Sequence, residues 1–176
     1  SGDTCLDLGS GKGSDAIDLA KKVGPDGIVY GIDFSDGMLK VARKAMKKEK
    51  VSNISFIKSI FETLPIEDEC ISVVTSNCAI NHARDKLKVF KEIFRVLKRG
   101  GYFVISDIYA QSEVPEIYKN NPQAVAECWA GAITKGTYIK TIQKSGFKKI
   151  DIIRESPPYR KGAINVSSWT FKGIKE

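Results

Sequence analysis

The chain has 176 residues, 42% of them hydrophobic and 28% charged, with a formal net charge of +7. That length is expected to form one domain over residues 1–176, and no apolar run approaches the roughly 20 residues of a membrane-spanning helix. No signal peptide is visible, and the four cysteines form no Cys-x-x-Cys pair, which argues against a structural zinc site and for a reducing cytoplasm.

The chain opens on Ser1-Gly2-Asp3, as expected where an N-terminal segment was trimmed or never present. Thr4–Leu8 then reads as an apolar strand that runs into Gly9-Ser10-Gly11-Lys12-Gly13 and a helix over Ser14–Val23. Such glycines let a backbone turn tightly and approach a ligand. After the turn Gly24-Pro25-Asp26-Gly27, a second strand covers Ile28–Asp33. It ends on an acidic residue about 20 positions beyond the glycines, where nucleotide-type cofactors need an acceptor for ribose hydroxyls. The loop departs from the dinucleotide pattern Gly-x-Gly-x-x-Gly: it reads Gly-x-Gly-x-Gly, with Asp7 just before it. A pyrophosphate would be repelled by Asp7, whereas a ligand carrying an ammonium group suits it.

Ser35 or Asp36 caps a helix reaching about Glu49, and Ile54–Lys58 and Ile71–Ser76 are the third and fourth strands. Asp85 opens a helix whose Leu87, Val89, Phe90, Ile93, Phe94 and Leu97 repeat at helical spacing, and Arg99-Gly100-Gly101 ends it. Tyr102–Ile108 is a fifth strand. The segment 109–133 is polar and irregular, with Pro115 and Pro122, and is expected to be a substrate loop or lid. Thr134 caps a helix ending at Gly146, and Lys148–Ile153 and Asn165–Gly173 complete the strands. The alternation implies an α/β fold, a mostly parallel sheet covered by helices on both faces. The lysines around 44–50 and 86–98 are spread along helices, with no interleaved aromatic platform. They read as solvated faces rather than a nucleic-acid surface.

Cys5 to Gly13, with Asp33, resembles motif I of the class I S-adenosylmethionine (SAM) methyltransferases. The resemblance implies a Rossmann-like, seven-stranded sheet in the order 3-2-1-4-5-7-6, with strand seven antiparallel. The cofactor would lie over the C-terminal ends of strands one, two and four. It also implies a cofactor set of Asp7, Gly9, Ser10, Gly11, Gly13 and Asp33, with Phe34, Met38, Phe61 and Glu62 around the adenine and Asn77 at the methionine part. Phe34 and Met38 each have an ordinary core-packing alternative.

Two further segments carry a more specific resemblance. Ser76-Asn77-Cys78-Ala79-Ile80-Asn81 follows the fourth strand, and Glu127-Cys128-Trp129-Ala130-Gly131-Ala132 lies in the long segment after the fifth. Together they resemble the arsenite methyltransferases, with their Ser-Asn-Cys-x-Ile-Asn and Glu-Cys-x-x-Gly-Ala patterns. That implies Cys78 and Cys128 as the ligands of trivalent arsenic, a soft centre that thiolates select, with a thiol reductant as co-reactant. The family carries another cysteine before the glycine loop; here that position falls near Asp3, and Cys5 does not align with it. Cys5 and Cys70 read as packing residues. The sole histidine, His82, reads as a loop residue or a weak base.

Three rivals stay open on sequence. A methyltransferase for a small organic acceptor would keep its activity in Cys78→Ser and Cys128→Ser. A non-catalytic SAM-binding module would bind cofactor without turnover. An RNA methyltransferase would show affinity falling steeply with salt. Oligomeric state is not encoded in any of these features.

Overall fold

The computed structural model describes residues 2–176. In chain order its elements are β1 (Thr4–Leu8), α1 (Ser14–Val23), β2 (Ile28–Asp33), α2 (Asp36–Lys48), β3 (Ile54–Lys58), β4 (Ile71–Asn77), α3 (Lys86–Val96), β5 (Leu97–Ala110), α4 (Glu116–Lys119), α5 (Pro122–Ala126), α6 (Lys135–Lys144), β6 (Ile150–Glu155), β7 (Tyr159–Lys161) and β8 (Ile164–Ile174). A 3-10 turn covers Ile80–His82 between β4 and α3.

The helix starts follow from side-chain caps that satisfy otherwise orphaned amides. Ser35 Oγ accepts the Met38 amide at the head of α2, Asp85 accepts Lys88 at α3, and Thr134 accepts Thr137 at α6. Among these described elements α1 is capped differently: Gly13 turns the chain at φ 87° and supplies no side chain.

The sheet runs β3-β2-β1-β4-β5-β8-β6, with β7 added to β8. β1 to β5 are parallel, and β8 is antiparallel to β5, β6 and β7. Two apolar layers cover it, because side chains alternate faces along each strand. Cys5 and Val29 pack with α1 and α2, while Leu6 and Leu8 pack with Val89, Phe90 and Ile93 of α3 and Tyr138 and Ile142 of α6. Each such buried Leu or Ile contributes about 1.5–3 kcal/mol. Leu8 pairs with Ile32 on one side and Ser76 on the other, so β1, β2 and β4 end at one level. The chain reverses direction across the sheet there, the position at which open α/β sheets bind ligands.

Three expectations are corrected. The sheet has eight strands: the short hairpin strand β7 was not read from the sequence, and the antiparallel strand between β5 and β6 is the eighth rather than the seventh. Strand β5 begins at Leu97, so Arg99-Gly100-Gly101 lies inside it instead of ending α3. The Gly100 amide donates to the Lys175 carbonyl at 2.7 Å, which recruits this stretch to the sheet end. The segment 109–133 is not merely irregular. It holds α4, α5 and a small apolar cluster of its own, in which Val114, Ala124, Trp129 and Ala132 pack against Ile164 and Val166 of β8. No described helix is long and apolar enough to cross a membrane.

Candidate active site

The glycine loop sits where β1 meets its neighbours. Gly9 and Ser10 amides both donate to the Ile32 carbonyl, at 2.8 and 2.9 Å, and the Gly11 amide donates to Asp33 Oδ2 at 2.9 Å. Asp33 Oδ1 accepts the Ser35 amide at 2.9 Å. Asp33 therefore ties the loop to the start of α2, and each oxygen keeps a lone pair for a further donor. A Cβ at Gly9, where φ is +76°, would stand 2.2 Å from the Cβ of Ala79; this position needs glycine both for its turn and for its contact.

Asp7 lies beneath this loop and is 2% exposed. Its Oδ1 accepts the Thr75 hydroxyl at 3.0 Å, while Oδ2 is buried with no partner. Burial pushes its carboxyl up to about 7, with the Asp15 and Asp33 charges adding to the effect against the Thr75 bond. Ser10 Oγ is also buried and unpartnered. Two buried polar atoms around one loop thus remain open to a polar ligand, and a cationic group would suit the carboxylate.

A cleft of about 620 Å³ runs from Phe34, just beyond Asp33, past Ile60, Phe61 and Glu62 to His82. Phe34 and Ile60 present bare apolar surface there, 56% and 57% exposed. Phe61 is buried beneath the wall, and Glu62 Oε1 accepts the Arg84 and Asp85 amides at 2.8 and 3.2 Å, fixing the entry to α3. Met38 stands exposed on the first turn of α2 and is not one of the side chains walling the cleft. Asn77, at the end of β4, donates to Asp15 Oδ2 at 3.4 Å.

Cys78 and Cys128 come together beside the end of β4. Each holds a left-handed backbone, with φ of 53° and 62°, which is costly for a side-chain-bearing residue. The two thiols interact, with Cys78 on the protonated side of the pair. That interaction and burial hold Cys78 well above the ordinary thiol range, and the same interaction draws Cys128 below it. His82 Nε2 lies 3.5 Å from Cys128 Sγ, so the exposed histidine joins the pair. Cys78 also borders a second cavity of about 300 Å³ in front of β8, with Arg154 and Trp169 in its wall. The other two cysteines stand apart: Cys5 is buried in the α1–α2 layer, and the half-buried Cys70 donates to the Glu67 carbonyl at 3.1 Å.

Sequence reasoning missed the polar groups beneath the thiols. Asp107, near the end of β5, is 2% exposed and accepts from Asn81 Nδ2, the Ile108 amide and the Tyr138 hydroxyl, at 2.9, 2.8 and 3.2 Å. Burial raises it to about 7. Lys86 belongs to this group as well and not to a solvated helix face; burial lowers its pKa while the Asp107 and Glu62 charges oppose that. An acidic residue closing an apolar strand, as Asp33 closes β2, was the available signal for Asp107. β7, also missed, props the Cys128 turn through an ion pair of 2.6 Å between Lys161 and Glu127.

A glycine-rich loop at the switch point, an acidic anchor on β2 and a strand order 3-2-1-4-5 are here joined to a match, over residues 1–146, with the family described as "Methyltransferase domain". The chain belongs to that methyltransferase family. An arsenite methyltransferase of Halobacterium salinarum is 38% identical over 168 residues, covering 96% of this methyltransferase and 42% of its relative. The arsenite methyltransferase of Homo sapiens is 38% identical over 151 residues, covering 81% and 40%. A crystal structure of CrArsM, an arsenic(III) S-adenosylmethionine methyltransferase from Chlamydomonas reinhardtii, superposes with a TM-score of 0.88 at 32% identity, covering 99% of this chain and 64% of that one. The chain thus spans about two fifths of the length of these curated relatives, 42% and 40%.

Proposed function

We propose that this methyltransferase transfers a methyl group from SAM to trivalent arsenic held by Cys78 and Cys128. The observation that carries the reading is the meeting of two thiols from separate turns, both on strained backbone, beside His82, which also lines the cleft of Phe34 and Glu62. The names of the relatives support the same substrate class.

The buried atoms around the loop fit the cofactor. Asp7, with its free Oδ2, would face the ammonium group, Asp33 would accept the ribose hydroxyls, and Gly9, Ser10, Gly11 and Gly13 would let the backbone close on the ligand. Phe34 would pack on the adenine, with Phe61 and Glu62 shaping that end and Asn77 the methionine end; Met38 is the most peripheral of the set. When bound, SAM supplies a methyl group activated by a sulfonium. The chain's own work is placement. Two thiolates bind a soft arsenic centre, leaving its lone pair as the nucleophile, so alignment counts for more than a general base. Cys128 is the first thiolate, since its proton affinity is already lowered; each As–S bond replaces an As–OH bond, and the displaced hydroxide leaves as water with the thiol proton.

The test is a titration with arsenite, with and without SAM, followed by tryptophan fluorescence from Trp129 beside Cys128. Tight binding that vanishes in Cys78→Ser and in Cys128→Ser supports the reading. A protein that binds SAM but not arsenite would leave a methyltransferase for another small acceptor.

A further inference from the structure

Asn81 makes an unusual set of bonds for one buried amide. Its Nδ2 donates to the Ile108 carbonyl at 2.7 Å, to Asp107 Oδ1 at 2.9 Å and to the Cys128 carbonyl at 3.0 Å. Its Oδ1 is buried without a partner. The side chain therefore spends its two hydrogens on three acceptors and leaves its own acceptor orphaned, an arrangement that costs folding free energy. Three segments converge on it: the turn after β4, the end of β5 and the turn bearing Cys128.

The same stretch of β5 holds the other thiol. The Cys78 amide donates to the Ser106 carbonyl at 2.9 Å, one residue before Asp107. Gly131 completes the contact on the far side, where an added Cβ would stand 2.0 Å from the Asn81 carbonyl oxygen. Both cysteines carry positive φ, and such backbone persists only where its surroundings over-determine it. Asn81 supplies that constraint for Cys128, and Asp107 fixes the direction of the amide.

We infer that Asn81, oriented by Asp107, is the positioning residue that sets the distance between the two thiols, so that they bridge one trivalent arsenic atom. The inference rests on the arsenic reading of Cys78 and Cys128 and adds the residue that makes the pair bidentate. Asn81 touches neither arsenic nor cofactor; it acts through the main chain of Cys128.

The experiment uses phenylarsine oxide, which bridges paired thiols, on the 176-residue chain. It compares Asn81→Leu, Asn81→Ser, Asp107→Asn and Asp107→Leu with wild type. Iodoacetamide alkylation of each thiol, SAM affinity and thermal melting are read in parallel. Asn81→Leu should weaken phenylarsine oxide binding by roughly 10–100-fold, as losses around a metal's ligands do, while SAM affinity stays close to wild type and both thiols remain open to alkylation. Asp107→Asn keeps an oxygen for Asn81 and should rescue most of the affinity, whereas Asp107→Leu should follow Asn81→Leu. Wild-type phenylarsine oxide affinity in Asn81→Leu would overturn the inference. So would loss of SAM binding and of cooperative melting in parallel with arsenical binding, in Asn81→Ser as well as Asn81→Leu, because that pattern assigns Asn81 to folding alone. A wild-type chain that does not bind phenylarsine oxide would instead remove the arsenic reading itself.

Discussion

His82 Nε2 lies 3.5 Å from Cys128 Sγ, and His82 also lines the cleft that begins at Phe34. The one histidine of the chain thus stands between the Phe34–Glu62 cleft and the thiol pair. Cys128 is the more reactive sulfur because its interaction with the Cys78 thiol draws its pKa down.

Cys78→Ala should therefore slow the reaction of Cys128 with iodoacetamide at neutral pH. The interaction with the Cys78 thiol stabilises the charged form of Cys128 and lowers its pKa; removing that thiol raises it. Each unit of rise costs up to about tenfold in thiolate below the pKa. A pH profile of alkylation, read by mass spectrometry at Cys128, checks this. A profile unmoved by the substitution would contradict the interaction of the two thiols.

If the thiols bind arsenic as proposed, removing either should be costly for the metalloid and neutral for the cofactor. Cys78→Ser and Cys128→Ser should each weaken arsenite binding by at least about tenfold, or ~1.4 kcal/mol, with SAM affinity retained. Calorimetric titration of both ligands into both variants separates the two effects.

Asp7 should couple cofactor affinity and stability to pH. Its folded carboxyl sits at about 7 against an unfolded value of 3.8, so the folded state holds the proton longer. The sign follows: stability from this group is full below 3.8 and is lost as pH rises through about 7. Asp7→Asn should flatten that decline in the ligand-free protein, raising the melting temperature at pH 8 but not at pH 4. It should also weaken SAM binding, since the ammonium loses its counter-charge. In the wild type, binding at pH 6 should release a proton, visible as a dependence of the binding heat on buffer ionisation enthalpy. Melting curves of Asp7→Asn that still decline as steeply as wild type would assign the pH dependence to Asp107 instead.

The glycines of the loop should differ in their tolerance. Gly9→Ala forces a Cβ to 2.2 Å from Ala79 at φ +76°, and Ala79 adjoins Cys78. It should cost about 1–3 kcal/mol of stability and impair both SAM and arsenite binding. At Gly11 a Cβ would meet nothing nearer than 3.9 Å, so Gly11→Ala carries only the cost of its φ of +50°. It should fold at about 1 kcal/mol less stability and affect SAM alone. Denaturant melts and paired titrations test the contrast.

Much of this was legible in the sequence because it is local. Thr4–Leu8, Ser14–Val23 and Ile28–Asp33 are the strand, helix and strand that apolar period and caps predict, and the glycines between them supply the positive φ of a tight turn, while their contacts with Ala79 and Ala42 come from the fold. Asp33 was marked by closing an apolar strand. Lys86 misled, because a lysine on a helix reads as solvated, and only packing turned it toward Asp107 and Glu62.

The sequence by itself determined the alternating elements, the switch point and the glycine loop, since turn chemistry and side-chain period act over a few neighbouring residues. Only the tertiary structure decided that Cys78 and Cys128 meet, that His82 joins them, that Asn81 ties Cys128 to β5, and that Asp7 keeps an unpartnered oxygen. The physical reason is range. A hydrogen bond between residues far apart in the chain forms only after the sheet has brought their strands to one edge, and no residue's own propensity records which distant partner will stand beside it.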